Sequence, residues 1–496
     1  MEVARQPGVA FQTDAVTIAA HRAGRPVPRE AVRVRRMVYA ATLLYAVVFA
    51  GAAAVHYASF HAVFTDLGGM AQAVWATAHG HFLETTTLTG QQRPRLVGHV
   101  DPFLALLVPL WWAWSSPLML AVFQAVVVST GALPVYWLAR KHLRSERAGA
   151  HFALAYLLFP ATQFNAFTIT SGFHAVSISI PLILFAIWFL DEERLLLFAL
   201  FALLAASTKE EIPLAVGCLG IWFAIRKGRR LVGLAIFTLG LAATLVDFLV
   251  VIPHFSPSGI DPFVARYSAV GTTPGGIVHK ALTDPGALLH AVVTGHKLVY
   301  VAMLLAPFLG LWLAEPLIFL GAVPDLAINL LSAKGDQTVI VYHWTAGIVP
   351  FTVAASIFGL ARLKRDPDRF SLYALLGAAC LAVVSPITLG IARGDVRAAL
   401  PSNPTRAAAA HAVQLIPDGV PVAASNQLAT YLSGRRFIYI YPFATKASWL
   451  VVDRNDHSYS DLKGYRAAVQ RLDKTRDWRV VYLSHGIEVL HRSGGG

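Results

Sequence analysis

The stretch 60–103 combines carboxyl, imidazole and guanidinium groups, the side chains that proteins use to transfer protons and to bind phosphate. These groups are Asp66, His79, His81, Glu84, Arg93, Arg95, His99 and Asp101. The stretch is too polar to cross a bilayer, although it lies between two strongly apolar segments. We therefore interpret it as a long reactive loop that is held at one membrane face.

Further ionisable residues lie in three short motifs downstream. They are His174 in SGFHAVS, Lys209, Glu210 and Glu211 in STKEE, and Asp336 and His343 in KGDQTVIVYHW. If the apolar segments between these motifs span the membrane, all of the motifs reach the same face as the first loop. Charges at a membrane edge cost free energy unless they are paired or functional, so this convergence predicts a functional site.

Each of these groups also has a structural interpretation. A single interfacial histidine is more often hydrogen-bonded than catalytic, and Lys209 could form an ion pair with Glu210 or Glu211 that caps two short helices. Asp66 or Thr65 could be the N-cap of the following helix. The agreement of several separate segments on one face favours the functional interpretation.

The composition is that of an integral membrane protein. Of the 496 residues, 56% are hydrophobic and 14% are charged, whereas soluble proteins contain about 25% charged residues. The formal net charge of +13 does not indicate nucleic-acid binding, because most Lys and Arg residues fall in short loops, where they set topology and contact anionic headgroups. Cys218 and Cys380 lie in apolar runs, which argues against a disulfide framework.

The hydropathy pattern predicts about eleven transmembrane helices. They cover 37–59, 117–139, 148–167, 174–190, 194–208, 212–225, 231–252, 298–314, 316–332, 344–361 and 370–392. Some of these segments are short, which predicts broken, tilted or re-entrant helices.

The charge distribution orients this predicted bundle. With the N-terminus inside, the cytoplasmic tail and loops hold about twenty Lys and Arg residues, and the opposite loops hold about seven, as the positive-inside rule requires. We therefore predict a multi-pass membrane protein with a disordered cytoplasmic tail at 1–36. The transmembrane domain would be 37–392, with outer loops at 60–103 and 253–297.

The last hundred residues have the composition of a soluble domain, which we expect outside the membrane at 393–496. VPVAAS, FIYIY, WLVVD and WRVVYL predict short buried strands, and the sequences between them have helical spacing. The predicted fold class is therefore a polytopic α-helical membrane protein with a small extracytoplasmic α/β C-terminal domain.

Several motifs, taken in order, resemble a bacterial family of predicted membrane proteins catalogued as domain of unknown function 2079. The motifs are FTDLGGMAQAVWATAHG, LVGHVDPF, SGFHAVS, STKEE, VYHWTAGIVPF and ASNQLATYLSGRRFIY, and the resemblance extends from about 56 to 455. This family is grouped with the GT-C glycosyltransferases, multi-span enzymes that use polyprenyl-phosphate sugars as donors. The resemblance implies a GT-C-like fold with a catalytic acidic residue in the first outer loop, where Asp66 stands.

The chain departs from the family pattern at three positions. Ala71 replaces a second acidic residue, and Ala175 and Val176 stand where a proline and a glutamate commonly follow the histidine. Asp66 is therefore the only carboxylate in its own helix, and the catalytic hypothesis concentrates on it.

The resemblance implies an enzyme of the bacterial plasma membrane that transfers a sugar from a polyprenyl-phosphate donor to a cell-envelope glycan or lipid acceptor. Such a transfer needs a base for the acceptor hydroxyl, a role that we assign to Asp66, and a single displacement with no protein nucleophile would invert the anomeric carbon. The predicted substrate-binding and phosphate-binding residues are His99, Asp101, His174, Lys209, Glu210, His343, Arg93 and Arg95. A divalent cation, Mg²⁺ or Mn²⁺, held by Asp66, His99 and Asp101, is an open alternative, because their oxygen and nitrogen atoms suit such an ion.

Two other functions remain open from the sequence. One is a transporter or flippase for a lipid or polyol, for which Asp247 and Asp325 within predicted spans are the supporting residues. The other is a non-catalytic scaffold whose outer domain binds envelope partners. The position of most ionisable residues at one face, rather than at the bilayer midplane, favours the transferase.

Overall fold

A computed structural model describes residues 29–87, 89–167, 172–259, 262–271, 274–384, 395–444, 446–475 and 477–493. Most of the predicted tail, 1–36, lies outside the described residues. Residues 29–36 are already helical, since Arg, Glu, Ala and Val are compatible with a helix that begins before the apolar segment does.

Helices make up most of the described chain. In chain order they are α1 (Arg29–Ala58), α2 (Gly69–Ala78), α3 (Val108–Ala113), α4 (Pro117–Thr130), α5 (Ala132–Leu143), α6 (Glu146–Leu158), α7 (Pro160–Ala166), α8 (Ser179–Asp191), α9 (Leu195–Ala206), α10 (Ile212–Arg226), α11 (Arg230–Val246), α12 (Ile252–Phe255), α13 (Pro274–Thr283), α14 (Pro285–Val292), α15 (Gly295–Leu305), α16 (Pro316–Phe319), α17 (Val323–Leu331), α18 (Val349–Leu363), α19 (Pro367–Val384), α20 (Asp395–Ala399), α21 (Pro404–Gln414), α22 (Asn426–Tyr431) and α23 (Leu462–Leu472). Prolines explain several of the breaks, because the residue before a proline avoids the helical conformation. Phe159, which separates α6 from α7, is extended and precedes Pro160.

Four helical stretches of the described residues are long and apolar enough to cross a membrane. They are Arg29–Ala58, Pro117–Leu143, Arg230–Phe255 and His343–Leu363, and a further pair, Pro285–Val292 and Gly295–Phe308, is bent by 63°. All eleven predicted segments contain helix, although several helices are short. The number that crosses the bilayer therefore stays a prediction.

The surface of the bundle carries apolar side chains that a soluble protein would bury. Leu196 is 88% exposed and Leu231 is 84% exposed, while buried polar residues such as Gln124, Asn165 and Glu211 lie inside. This distribution is typical of a protein whose outer helices face lipid.

Helices α10 and α11 pack with their backbones in contact. A Cβ atom added to Gly220 would lie 2.3 Å from the carbonyl oxygen of Gly233, and one added to Gly240 would lie 2.4 Å from that of Pro213. Small residues permit such close helix contacts in membranes. The pairing fixes the STKEE motif, because Thr244 on α11 accepts the Leu214 N–H and donates to the Glu210 carbonyl.

The basic loops meet at one end of the bundle. Asp191 lies 2.6 Å from Lys141, 2.8 Å from His142 and 3.0 Å from Lys227. Glu315 pairs there with two arginines, Arg226 and Arg362. These segments are the ones predicted to be cytoplasmic, so the prediction that they share one end agrees with the structure, and the orientation of that end stays a prediction.

A five-stranded sheet follows the helical bundle. Its strands are β3 (Val422–Ala424), β4 (Ile438–Ile440), β5 (Trp449–Asp453), β6 (Trp478–Ser484) and β7 (Ile487–Arg492), and the order is β4-β3-β5-β7-β6. β3 pairs in parallel with β4 and β5, and the remaining pairs are antiparallel. A separate hairpin, β1 (Glu84–Thr86) and β2 (Gln92–Pro94), lies in the first loop.

Two details of the sheet correct the sequence analysis. The strand β7 was not predicted, because Glu488 and the basic residues at its end interrupt the apolar pattern. The prediction that β6 is buried is wrong, since Val480 is 52% exposed and Leu483 is 59% exposed. β6 is the edge of the sheet, where one face and one backbone edge remain open.

Candidate functional site

Asp66 lies on an irregular helical turn, Phe64–Gly68, that leads into α2. Neither Asp66 nor Thr65 caps a helix, because no side-chain cap is formed at the start of this turn or of α2. The turn is held from the sheet domain instead. The Thr65 N–H donates to Asn426 Oδ1 at 3.2 Å, and Phe64 packs into the core of that domain.

The carboxyl group of Asp66 faces His174. The distance between Asp66 Oδ1 and His174 Nε2 is 3.5 Å, and 32% of the Asp66 side chain remains exposed. The group lies in a recess, where burial raises the pKa of Asp66 to about 6, although the charges of Arg95, Lys334 and His99 lower it. A carboxylate with such a pKa suits a general base that works near neutral pH.

Two histidines stack behind Asp66. The rings of His174 and His343 are stacked, with their centroids 3.4 Å apart and 24° between their planes. The backbone N–H of His174 donates to Gln124 Oε1 at 2.7 Å. This stack joins the segment before α8 to the segment before α18, so it fixes both next to the turn that carries Asp66.

The STKEE motif pairs in two directions. Lys209 forms an ion pair with Glu211, which agrees with the structural interpretation of this motif. Glu210 binds the first loop, since it accepts hydrogen bonds from His99 Nδ1 and from the Val100 N–H, both at 3.0 Å.

These contacts set the charges of the motif. Burial lowers the pKa of Lys209, but the carboxylates of Glu211, Glu210 and Asp325 raise it more, so its pKa lies above the usual value. Burial raises the pKa of Glu210, yet His99 and Lys209 bring it down to about 2. Both groups are therefore charged at neutral pH.

A cavity of about 490 Å³ lies beside this cluster. Its polar wall contains His99, Lys209, Glu210, Glu211 and Arg266, and its apolar wall contains Phe248, Leu249, Pro253, Ile328 and Leu331. Two aromatic rings, Phe263 and Trp344, also line the cavity. His99 stacks on Phe263 at 4.8 Å, and Lys209 lies 4.9 Å from the Trp344 ring.

The structure brings most of the predicted site residues together. Asp66 contacts His174, which stacks on His343, and His99 is hydrogen-bonded to Glu210. The charges of Arg95 and His99 act on Asp66, and that of Lys209 acts on Glu210. Asp101 accepts a hydrogen bond from Arg95 Nε at 2.6 Å.

Two predicted residues lie outside the cluster. No described contact joins Arg93 to it, because Arg93 lies on β2 and donates to Gln91. Asp336 is also outside the cluster, since its exposed side chain pairs with Lys334.

Several residues of the cluster were not among the predicted site residues. Gln124, Glu211, Phe263, Arg266, Asp325 and Trp344 are the additional members. Asp325 carries a usable sequence signal, because a carboxylate within an apolar segment is rare without a role. Its Oδ2 accepts the Gly347 N–H at 3.0 Å, and a Cβ at position 347 would lie 2.1 Å from that oxygen.

The predicted cation at Asp66, His99 and Asp101 stays a prediction. His99 is bonded to Glu210 and Asp101 is bonded to Arg95, so each would exchange a protein partner for the ion. Within the described part of the chain, the histidine and carboxylate atoms that approach one another closely enough for a shared ion belong instead to His56, His61 and Asp395.

Comparison with known proteins identifies a family and a fold. The family described as "Predicted membrane protein (DUF2079)" matches residues 57–489. The fold is similar to the crystal structure of ArnT from Cupriavidus metallidurans bound to undecaprenyl phosphate, with 12% identity, a TM-score of 0.53, and coverage of 90% of this chain and 97% of that chain.

The apo state of the same ArnT has 13% identity and a TM-score of 0.50, and the match covers 91% of this chain and 98% of that chain. No curated protein matches the sequence. At these identities the comparison shows an ArnT-like fold.

Proposed function

Because the chain belongs to the predicted membrane protein family DUF2079, we propose that it is a GT-C-type glycosyltransferase of the plasma membrane. It transfers a sugar from a polyprenyl-phosphate donor to a cell-envelope acceptor on the extracytoplasmic face. The observation that carries this proposal is the position of Asp66, a carboxyl group with a pKa of about 6 that caps no helix, beside a cluster of charged residues that adjoins a cavity with an apolar wall.

The donor has a charged phosphate and an apolar isoprenoid chain, and the cavity has a polar wall and an apolar wall. Lys209, His99 and Arg266 lie in the polar wall beside Glu210 and Glu211, and guanidinium and ammonium groups are the usual phosphate partners. The apolar wall of Phe248, Leu249 and Ile328 suits the first isoprenoid units. The bound undecaprenyl phosphate of the similar ArnT structure supports this choice of lipid.

The reaction is a single displacement at the anomeric carbon. The acceptor hydroxyl oxygen forms the new bond to that carbon, its proton passes to Asp66, and the bond to the phosphate oxygen breaks. The leaving polyprenyl phosphate takes the electron pair and is stabilised by the positive charges of Lys209 and Arg266. A single displacement inverts the configuration of the sugar.

The transport alternative is less well supported by the cavity. Its described lining residues come from the first loop, from 209–211, from 248–277 and from 327–344, and none comes from the basic loops at the opposite end. A cavity at one end of the bundle suits binding from the membrane side better than passage through it.

The test is transfer from radiolabelled polyprenyl-phosphate sugars to membrane extract by the purified full chain. Replacing Asp66→Asn removes the base, so we expect transfer to fall by about 10²–10⁴-fold. The control variant is Asp336→Asn, which removes an exposed carboxyl group near the same end of the bundle. This variant should transfer sugar as the wild type does. Equal transfer by wild type and Asp66→Asn would remove Asp66 as the base.

The melting temperature distinguishes an Asp66→Asn protein that lacks only the base from one that is misfolded. Asp66 binds its proton more tightly in the folded than in the unfolded state, so the folded wild type loses stability as the pH rises through about 6. The Asp66→Asn protein has no such loss. Its melting temperature above pH 6 should therefore be no lower than that of the wild type.

A further inference from the structure

A second cluster of titratable groups lies away from the proposed active site. It consists of His56 near the end of α1, His61 in the segment that follows, and Asp395, which opens α20. The carboxylate lies between the two imidazoles, with Oδ2 2.9 Å from His56 Nδ1 and Oδ1 2.6 Å from His61 Nδ1. One ligand atom from each residue lies within 4.8 Å of the other two.

One ring nitrogen of His56, Nε2, has no hydrogen-bond partner in the part of the chain that the structure describes. If no ion is bound and the ring is neutral, Nδ1 must carry the proton because it faces a carboxylate, and Nε2 is then a buried acceptor. The residue is 3% exposed, and Nε2 has no hydrogen-bond partner among the described residues. A buried acceptor without a donor costs free energy.

A cation on Nδ1 reverses this assignment. Nε2 then carries the proton and needs an acceptor instead of a donor. The Phe167 ring stands nearly perpendicular to the imidazole, at 83° with a centroid distance of 5.5 Å, and an aromatic face accepts weak N–H hydrogen bonds. No described group donates a hydrogen bond to Nε2, so its surroundings do not favour the neutral ion-free tautomer.

We propose that His56, His61 and Asp395 bind a divalent transition-metal ion of the Zn²⁺ class. Two imidazole nitrogens and one carboxylate oxygen are a common zinc ligand set, and a tetrahedral site places its ligand atoms about 3.4 Å apart. The ligand atoms now lie within 4.8 Å of one another, the shortest separation being 2.6 Å, so each separation would change by about 1.4 Å or less to reach the tetrahedral spacing.

An entry path and a fourth position are present. The His61 side chain is 41% exposed, and it lines a cavity of about 320 Å³ whose polar lining residues include Asn403, Gln427, Asp453 and His457. Water or an anionic ligand from this cavity can complete the coordination. The site is therefore open on one side, unlike a closed structural zinc site.

The ion would connect the first helix to the start of the C-terminal region. Other contacts follow the same seam, since Arg406 Nε donates to the Ala58 carbonyl at 2.9 Å and the Tyr431 hydroxyl donates to the Tyr57 carbonyl at 2.6 Å. A ligand that binds only the folded state raises its stability. Zinc binding therefore strengthens the docking of the sheet domain beside the turn of Asp66.

The experiment uses the full chain in detergent, freed of any polyhistidine tag and stripped with EDTA. Zn²⁺ binding is followed by calorimetry, Co²⁺ binding by its visible absorption bands, and stability by the melting temperature with and without Zn²⁺. We expect one equivalent of Zn²⁺ and a higher melting temperature. His61→Ala, a partly exposed position, should bind at least about tenfold more weakly and lose the thermal shift.

Matched variants keep the result decisive. Asp395→Asn keeps the shape of the side chain and should weaken binding in the same way as His61→Ala. His79→Ala removes an exposed imidazole from the same loop and should bind as the wild type does. Absence of binding by the wild type, or equal binding by wild type, His61→Ala and Asp395→Asn, would overturn the proposal. Neither outcome bears on whether Asp66 is the base, which the transfer assay tests separately.

Discussion

At the scale of single residues, the environment of Asp66 decides its chemistry. The same carboxyl group as a helix cap would accept backbone N–H bonds, which lower the pKa of an acid. Here the turn has no side-chain cap, burial raises the pKa to about 6, and His174 lies 3.5 Å away. The group is therefore ionised at neutral pH and still basic enough to take a proton.

The pH dependence of transfer follows from this pKa. Below about pH 6 Asp66 is protonated and cannot take the proton from the hydroxyl group of the sugar acceptor. We therefore expect kcat/KM to fall about tenfold for each pH unit below that value. The measurement is initial transfer rate from about pH 5 to pH 8. Asp336→Asn should show the same acidic limb. A rate that is flat across this range would contradict the assignment.

At the scale of elements, the turn that carries Asp66 is shaped by two parts of the chain. The first loop supplies the turn, and α22 of the sheet domain covers it, with Thr430 Oγ1 donating to the Ala62 carbonyl at 2.9 Å. Gly68 permits this approach, because a Cβ there would lie 2.6 Å from the Phe64 ring and 3.0 Å from Thr430 Cα. The contact links the position of the proposed base to a domain that follows it by more than 300 residues.

Gly68→Ala tests this contact. The added methyl group must displace a packed ring and a backbone atom, which costs about 1–3 kcal/mol, and the turn should move away from His174. We expect a lower melting temperature and transfer reduced by about tenfold or more. Gly51→Ala is the control, because nothing lies within 4 Å of a Cβ at that position. Unchanged transfer by Gly68→Ala would show that the turn tolerates the displacement.

At the scale of the whole molecule, the bundle separates two kinds of polar cluster. One end is held by ion pairs between the basic loops and Asp191 or Glu315. The other end gathers Asp66, the histidines and the STKEE motif beside a cavity with an apolar wall. This asymmetry is the expected arrangement for an enzyme that takes an amphiphilic donor from the bilayer.

Filling the cavity should impair lipid binding. Ile328 on α17 lines the apolar wall, so Ile328→Trp reduces the space for the first isoprenoid units. We expect added undecaprenyl phosphate to raise the melting temperature of the wild type. The increase for Ile328→Trp should be less than about half of the wild-type increase. Val323→Trp, at an exposed position of the same helix, should respond as the wild type does. Equal shifts in all three proteins would exclude this cavity as the lipid site.

The sequence by itself determined the class of protein and the chemistry available to it. Hydropathy depends only on local composition, so the membrane assignment, the apolar segments and most strands of the C-terminal sheet followed directly. The motifs and their order identified the family, and the topology predicted that Asp66, His174, Lys209 and His343 would share one face.

Only the tertiary structure decided which groups touch. It paired Glu210 with His99 and Lys209 with Glu211, although the two carboxylates are neighbours in the chain. It added Arg266, Asp325 and Trp344 to the cluster and brought Asp395 to His56 across 339 positions. Partner choice depends on distance and burial across the fold, and neither quantity is encoded in local spacing.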